Sequence, residues 1–248
     1  MAVDWFSDHS KRHTEPSDRT PLNMIEVFRD RTEAGQLLAA ELMQYANQPD
    51  VIVLGLPRGG VPVAFEVAMA LRAPLDVFVV RKLGTPGHRE LAMGAIASGG
   101  IRVLNEEVVQ GRGIPMEVID AVSAEESQEL RRRELAYRGS YSEPEVCGKT
   151  VLLIDDGIAT GSTIRAAIRA LKAQHPARVI VAVPTAAAST CRELRPEVDD
   201  LVALMAPEFF YGVGQWYEDF RQTSDAEVTE LLQRARENLA STGRDDPT

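Results

Sequence analysis

The segment Val151–Thr163, V-L-L-I-D-D-G-I-A-T-G-S-T, admits few folds. A short apolar run bounded by turn signals reads as an inner strand of a sheet covered on both faces. Two adjacent acids and a small polar loop follow it, and then Ile164, Ala167, Ile168 and Leu171 recur at helical spacing. The segment therefore reads as buried strand, tight loop, helix start. At a helix start the backbone N–H groups are unpaired and the dipole favours an anion. Glycines at 157 and 161 allow a sharp turn and a close approach of a ligand. Hydroxyls on Thr160, Ser162 and Thr163 add donors, so Ala159–Thr163 suits a phosphate. Asp155 and Asp156 stand just before the loop, where they can accept hydrogen bonds from hydroxyls of whatever carries that phosphate.

Three more loops follow short apolar strands. After Val51–Leu54 comes Gly55-Leu56-Pro57-Arg58-Gly59-Gly60-Val61-Pro62, which opens a helix over Val61–Leu71. Its free N–H groups and one arginine make a second anion site, or simply a turn with a surface arginine. After Leu75–Val80 comes Arg81-Lys82, then a loop over Gly84–Gly94 that carries His88, Arg89 and Glu90. After Leu201–Met205 comes a segment holding Phe209, Phe210, Tyr211, Trp216 and Tyr217, in a chain with few aromatics. Those rings offer a face for a planar ligand, or they anchor the C-terminal helix.

Alternating short strands and helices predict an α/β fold, a parallel sheet flanked by helices. Ligands in such sheets sit beyond the carboxyl ends of the strands, which places these four loops along one edge. Further helices are expected from Asp30 or Thr32 to about Tyr45, over Met116–Arg138, over Ser189–Leu194 and over Asp225–Leu239. A strand or hairpin is expected around Gly99-Gly100, and another strand over Arg178–Val183. The long charged helix reads as solvated or dimer-forming, with Glu129/Arg133 and Glu134/Arg138 at supportive spacing. The chain divides into an N-terminal extension (1–29), an α/β core (30–206), and a hood segment with the C-terminal helix (207–248).

A net charge of −10 argues against nucleic acid as the main partner. The absence of a long apolar run argues against a membrane span, and the polar N-terminus carries no signal-peptide pattern, so the cytoplasm is the expected location. Cys147 and Cys191 lack metal-like spacing and read as structural thiols. Gly148-Lys149-Thr150 looks like the end of a P-loop, but Glu143 stands where its first glycine belongs and a strand follows.

The 151–163 string resembles the phosphoribosyl pyrophosphate (PRPP) signature of type I phosphoribosyltransferases along its whole length. The 55–62 loop resembles that family's pyrophosphate loop, which implies a strained or cis peptide at Pro57-Arg58. Arg81-Lys82 and the glycine-containing loop after it resemble the flexible loop of orotate and adenine phosphoribosyltransferases. The second lysine common there is missing, and His88 and Arg89 take its place as the charged part of a lid. Residues 207–221 are similar to the variable hood of purine salvage members.

The resemblance implies transfer of the phosphoribosyl group of PRPP to an acceptor, with loss of pyrophosphate. It implies the 5′-phosphate on Ala159, Thr160, Gly161, Ser162 and Thr163, and ribose hydroxyls and magnesium on Asp155 and Asp156. The pyrophosphate would lie on Arg58, Gly59 and Gly60, with charge from Arg81 and Lys82. Phe209, Phe210 or Trp216 would stack on the acceptor, and a homodimer is expected. The alternative is a PRPP- or nucleotide-sensing regulator without catalysis on the same fold.

Overall fold

The structure, a computed structural model, describes residues 27–242. Five parallel strands form the central sheet: β1 (Val51–Gly55), β2 (Leu75–Val77), β6 (Thr150–Ile154), β7 (Arg178–Thr185) and β8 (Asp200–Met205), in the order β2-β1-β6-β7-β8. The register runs Val53↔Leu152 between β1 and β6, and Leu152↔Ile180 between β6 and β7. Side chains alternate across a strand, so one sheet makes two cores. Val51, Val53, Leu152, Ile154 and Ile180 pack with helices α1 (Arg31–Glu41) and α2 (Gly60–Leu71). Ile52, Leu54, Val151, Leu153 and Val181 pack with α5 (Ser162–Lys172) and α6 (Ala188–Leu194). Asp30 caps α1 by accepting from the Glu33 N–H.

The expected strand Leu75–Val80 is two strands. Phe78 and Val79 break it, and β3 (Val80–Thr85) starts a second sheet. The expected loop over Gly84–Gly94 is in fact part of a hairpin: β3 pairs antiparallel with β4 (His88–Ala97), and β5 (Ile101–Leu104) completes the sheet. Glycine misled the sequence reading here. At Gly94 a Cβ would stand 2.5 Å from the Val103 carbonyl oxygen, so that glycine serves close strand pairing and not a flexible loop. A short helix that the sequence reading did not anticipate, α3 (Glu106–Gly111), follows β5 with Asn105 as its cap.

Helix α4 (Met116–Arg138) lies where expected, but it is partly buried rather than merely solvated. It buries Ile119, Leu130 and Tyr137 against the hairpin sheet and α7 (Asp225–Thr242). Its last residue, Arg138, is buried and holds the end of β2 through Asp76 Oδ1 at 2.8 Å and the Val77 carbonyl at 2.8 Å. Burial outweighs Arg138 at Asp76, whose pKa is raised. Most of the N-terminal extension lies outside the described residues. Phe28 at its end is fully buried, and its backbone pairs with Tyr217 of the hood.

Candidate active site

Strand order sets the site. β1 and β6 are neighbours, so the loops after them meet. A Cβ on Gly60 would stand 2.8 Å from both the Asp155 Cα and the Ile154 carbonyl oxygen. On Gly59 it would stand 2.0 Å from Asp156 Oδ2. The glycines that open α2 are therefore there because the paired acids press against them. The Pro57–Arg58 peptide between them and β1 is cis. Gly60→Ala is expected to destabilise by about 1–3 kcal/mol, the usual cost of overpacking against backbone that cannot give way. Thermal melting checks this, and an unchanged melting point would refute the contact.

The loop after β6 wraps a cavity of about 190 Å³. Its walls are the stretch from Gly157 to Ile164, with Asp155 at one side and Val213 of the hood at the other. Thr190 of α6 braces the loop by donating to the Ala159 carbonyl at 2.6 Å. Gly161 sits just before α5 with φ +73°. Lys82 donates to Ser162 Oγ at 2.6 Å, and Thr160 Oγ1 lies 3.4 Å from the same oxygen. Hydroxyls and the N-terminus of an amphipathic helix thus meet at one cavity, with Lys82 reaching its edge through Ser162, and this arrangement can hold a phosphate.

The two acids differ. Asp155 Oδ1 accepts the Asp156 N–H at 2.9 Å. Burial, and then the Asp156 charge beside it, push the Asp155 carboxyl well above its ordinary value. Asp156 instead meets Arg31 at 2.8 Å. The Tyr217 hydroxyl donates to the Asp156 carbonyl oxygen at 2.6 Å. Burial and the Asp156 charge raise the Tyr217 pKa, so that hydroxyl keeps its proton.

The other expected residues are distributed unevenly. Arg58 is partly exposed and stands 3.9 Å from Asp225 at the start of α7. Arg81 does not join Lys82 at the phosphate loop. Successive residues of a strand point to opposite faces, and Arg81 Nε meets Glu126 of α4 at 2.6 Å. His88 is exposed beside the hairpin turn, and among the described residues no hydrogen bond joins it to the phosphate loop. In the hood, Phe210 and Trp216 stack on each other at 6.1 Å, while Phe209 and Tyr211 are 80% and 89% exposed. The sequence reading missed Arg31, Val213 and the part played by Tyr217. Arg31 stands 125 positions from its partner, and no local pattern joins the two.

A parallel sheet flanked by helices that gathers a small polar loop at a helix start, paired acids and a glycine-rich loop at one edge matches the core of a phosphoribosyltransferase. The family model of the phosphoribosyl transferase domain matches residues 87–215, more than half of the chain, and the chain belongs to that family. It is 45% identical over 222 residues to proteins described as putative phosphoribosyl transferases in two strains of Mycobacterium tuberculosis, CDC 1551 and H37Rv. The match covers 90% of this chain and 50% of each relative, so the chain spans half the length of these curated relatives. The crystal structure of TT1426 from Thermus thermophilus is similar with a TM-score of 0.76 and 39% identity, covering 84% of this chain and 98% of that one. Among the described residues, no helix is long and apolar enough to cross a membrane.

Proposed function

We propose that this chain transfers the 5-phosphoribosyl group of PRPP to an acceptor with a nitrogenous ring and releases pyrophosphate. The observation that carries the reading is the cavity at the start of α5, with Lys82 on Ser162 and Asp155 at its side. The 5′-phosphate takes the N–H groups and hydroxyls of Ala159–Thr163. Asp155 and Asp156 take the ribose hydroxyls, and Arg58 with the Gly59 N–H takes the pyrophosphate, since the expected Gly60 N–H is already donated to the Leu56 carbonyl at 3.0 Å. A ring nitrogen bonds to C1 as the C1–O bond breaks, the electron pair leaves with pyrophosphate, and the acceptor nitrogen loses its proton to solvent. Positioning and charge stabilisation supply the rate. His88 sits beside the exposed turn of the β3–β4 hairpin, and this hairpin, in place of the expected loop, would close over C1 and keep water out.

Magnesium fits this donor set. Among the described residues no group of three or more acidic, histidine or cysteine side chains could form a cage. Magnesium needs only one or two carboxylates when substrate oxygens complete its shell, which Asp155 and Asp156 can provide. Bound there, it would neutralise charge on the leaving pyrophosphate.

The test is pyrophosphate release from PRPP and magnesium across purines, pyrimidines and other nitrogen or oxygen nucleophiles. Release that depends on one acceptor class supports the reading. PRPP binding without release on any acceptor would replace it with the sensing role. Phe209 supplies the acceptor's stacking face, because its ring is free while Phe210 and Trp216 already face each other. Phe209→Ala is expected to cost about 1–3 kcal/mol of acceptor binding, the usual worth of one stacked base. The melting point and PRPP affinity should hold. Trp216→Ala should instead melt lower, because Trp216 packs on the cluster of Phe28, Ala34 and Tyr217.

A further inference from the structure

Arg31 is the first residue of α1, where a cation opposes the helix dipole. Something outside the helix must hold it there. Its Nε and Nη2 both lie 2.8 Å from Asp156 Oδ2. Its Nη1 donates to the Arg221 carbonyl at 2.8 Å, and its guanidinium lies 4.1 Å from the centre of the Phe220 ring. The two paired side chains are only 11% and 14% exposed. Removing two charges this far from water is costly, and such a pair adds little net stability.

What the pair does supply is geometry. Tyr217 holds the main chain of Asp156 by its carbonyl, Gly59 closes off one side of the carboxylate, and Arg31 grips Oδ2. Arg31 is itself tied to the hood. The Phe28 N–H donates to the Trp216 carbonyl at 2.9 Å, the Glu218 N–H to the Phe28 carbonyl at 2.8 Å, and the Asp219 N–H to the Arg29 carbonyl at 2.9 Å. The start of α1 and the hood therefore form one clasp around Asp156.

We propose that Arg31 is a positioning residue that fixes the Asp156 carboxylate through Oδ2 and leaves Oδ1 for the substrate side. The proposal rests on the function proposed above. Partners of this kind, once removed, typically cost about 10–100-fold in activity or metal affinity. The first residue of α1 and the hood then complete the site, although neither carries the 159–163 loop.

The test compares wild type, Arg31→Ala, Arg31→Lys and Tyr217→Phe. In Arg31→Ala, kcat for pyrophosphate release should fall about 10–100-fold. The KM for PRPP should rise much less than kcat falls, because the 159–163 loop that takes the 5′-phosphate is untouched. Arg31→Lys should recover part of kcat, since it keeps the charge but not the two-armed grip. Free guanidinium should also restore Arg31→Ala, entering through a cavity of about 90 Å³ that Arg31 lines with Pro62, Asp219 and Arg221. Hydrogen exchange of the amides at 155–157 gives a readout that needs no substrate. It should quicken roughly tenfold or more in Arg31→Ala, the equivalent of one lost hydrogen bond to a charged group. Tyr217→Phe should quicken the same amides. Unchanged exchange there overturns the proposal whatever the activity. A parallel fall of kcat, PRPP binding and melting point, with no rescue, overturns it as well. A wild type that neither binds PRPP nor releases pyrophosphate sinks the proposed function instead, and the exchange data still decide the clasp.

Discussion

Asp155→Asn is expected to cripple turnover and, in the same metal-free protein, to raise the melting temperature. Asparagine keeps the shape and the oxygen that accepts the Asp156 N–H. It removes a carboxylate that burial and the neighbouring Asp156 charge both disfavour. The folded pKa of Asp155 lies above its unfolded value of 3.8, so the folded state binds the extra proton. Stability therefore falls as pH rises from that value through the folded pKa. The gain from Asp155→Asn should be absent below the unfolded pKa and grow above it. Each kcal/mol of relief would appear as about 2–4 °C in a chain of this size. Turnover should drop about 10²–10³-fold, the usual cost of removing one preorganised group at the reacting centre. Melting curves across pH with a chelator, beside a pyrophosphate assay, check both halves. Asp156→Asn should do the opposite to stability, because it strips the largely buried Arg31 of its counter-charge. A lower melting point for Asp155→Asn at neutral pH would mean that the carboxylate is stabilised where it sits.

Gly161→Val is expected to remove PRPP binding while the sheet stays folded. The backbone there has φ +73°, which a β-branched residue avoids, and a Cβ would stand 2.7 Å from Thr190 Cγ2. Thr190 cannot retreat without giving up its bond to the Ala159 carbonyl. The loop must open, and its N–H groups turn away from the anion. Losing two hydrogen bonds to a charged phosphate costs about 1.5–3 kcal/mol each, so affinity should fall about 10²-fold or more. Gly212→Ala is the control, since nothing lies within 4 Å of a Cβ there. Calorimetric titration with PRPP, with circular dichroism to report the fold, decides it. A folded Gly161→Val protein with native PRPP affinity would place the phosphate elsewhere.

Most of the sheet was legible because its strands are short apolar runs and its helices start at glycines, caps or polar loops. Val51–Leu54 extends by one residue to β1, and Met116–Arg138 is α4 as expected. The loop before α5 was legible for the same reason: its hydroxyls, glycines and the helix start are all neighbours in the chain. The hairpin was not. Gly84, Gly87 and Gly94 read as loop residues, and only the pairing of Ala95 with Val103 and Gly94 with Leu104 explains why Gly94 has no side chain.

The sequence alone determined what is local: the order of strands and helices, the small polar loop that opens α5, and the two acids before it. Only the tertiary structure decided what depends on pairing across long separations. It set β1 beside β6, so that Gly59 and Gly60 meet Asp156 and Asp155. It turned Lys82 toward Ser162 and Arg81 toward Glu126, since a strand's two faces acquire meaning once something packs on each. It brought Arg31 and Tyr217 to Asp156 from the two ends of the described chain. Periodicity along a chain records which face of an element is buried. It holds no record of which distant charge will be buried against it, because that partner is selected by sheet order and packing.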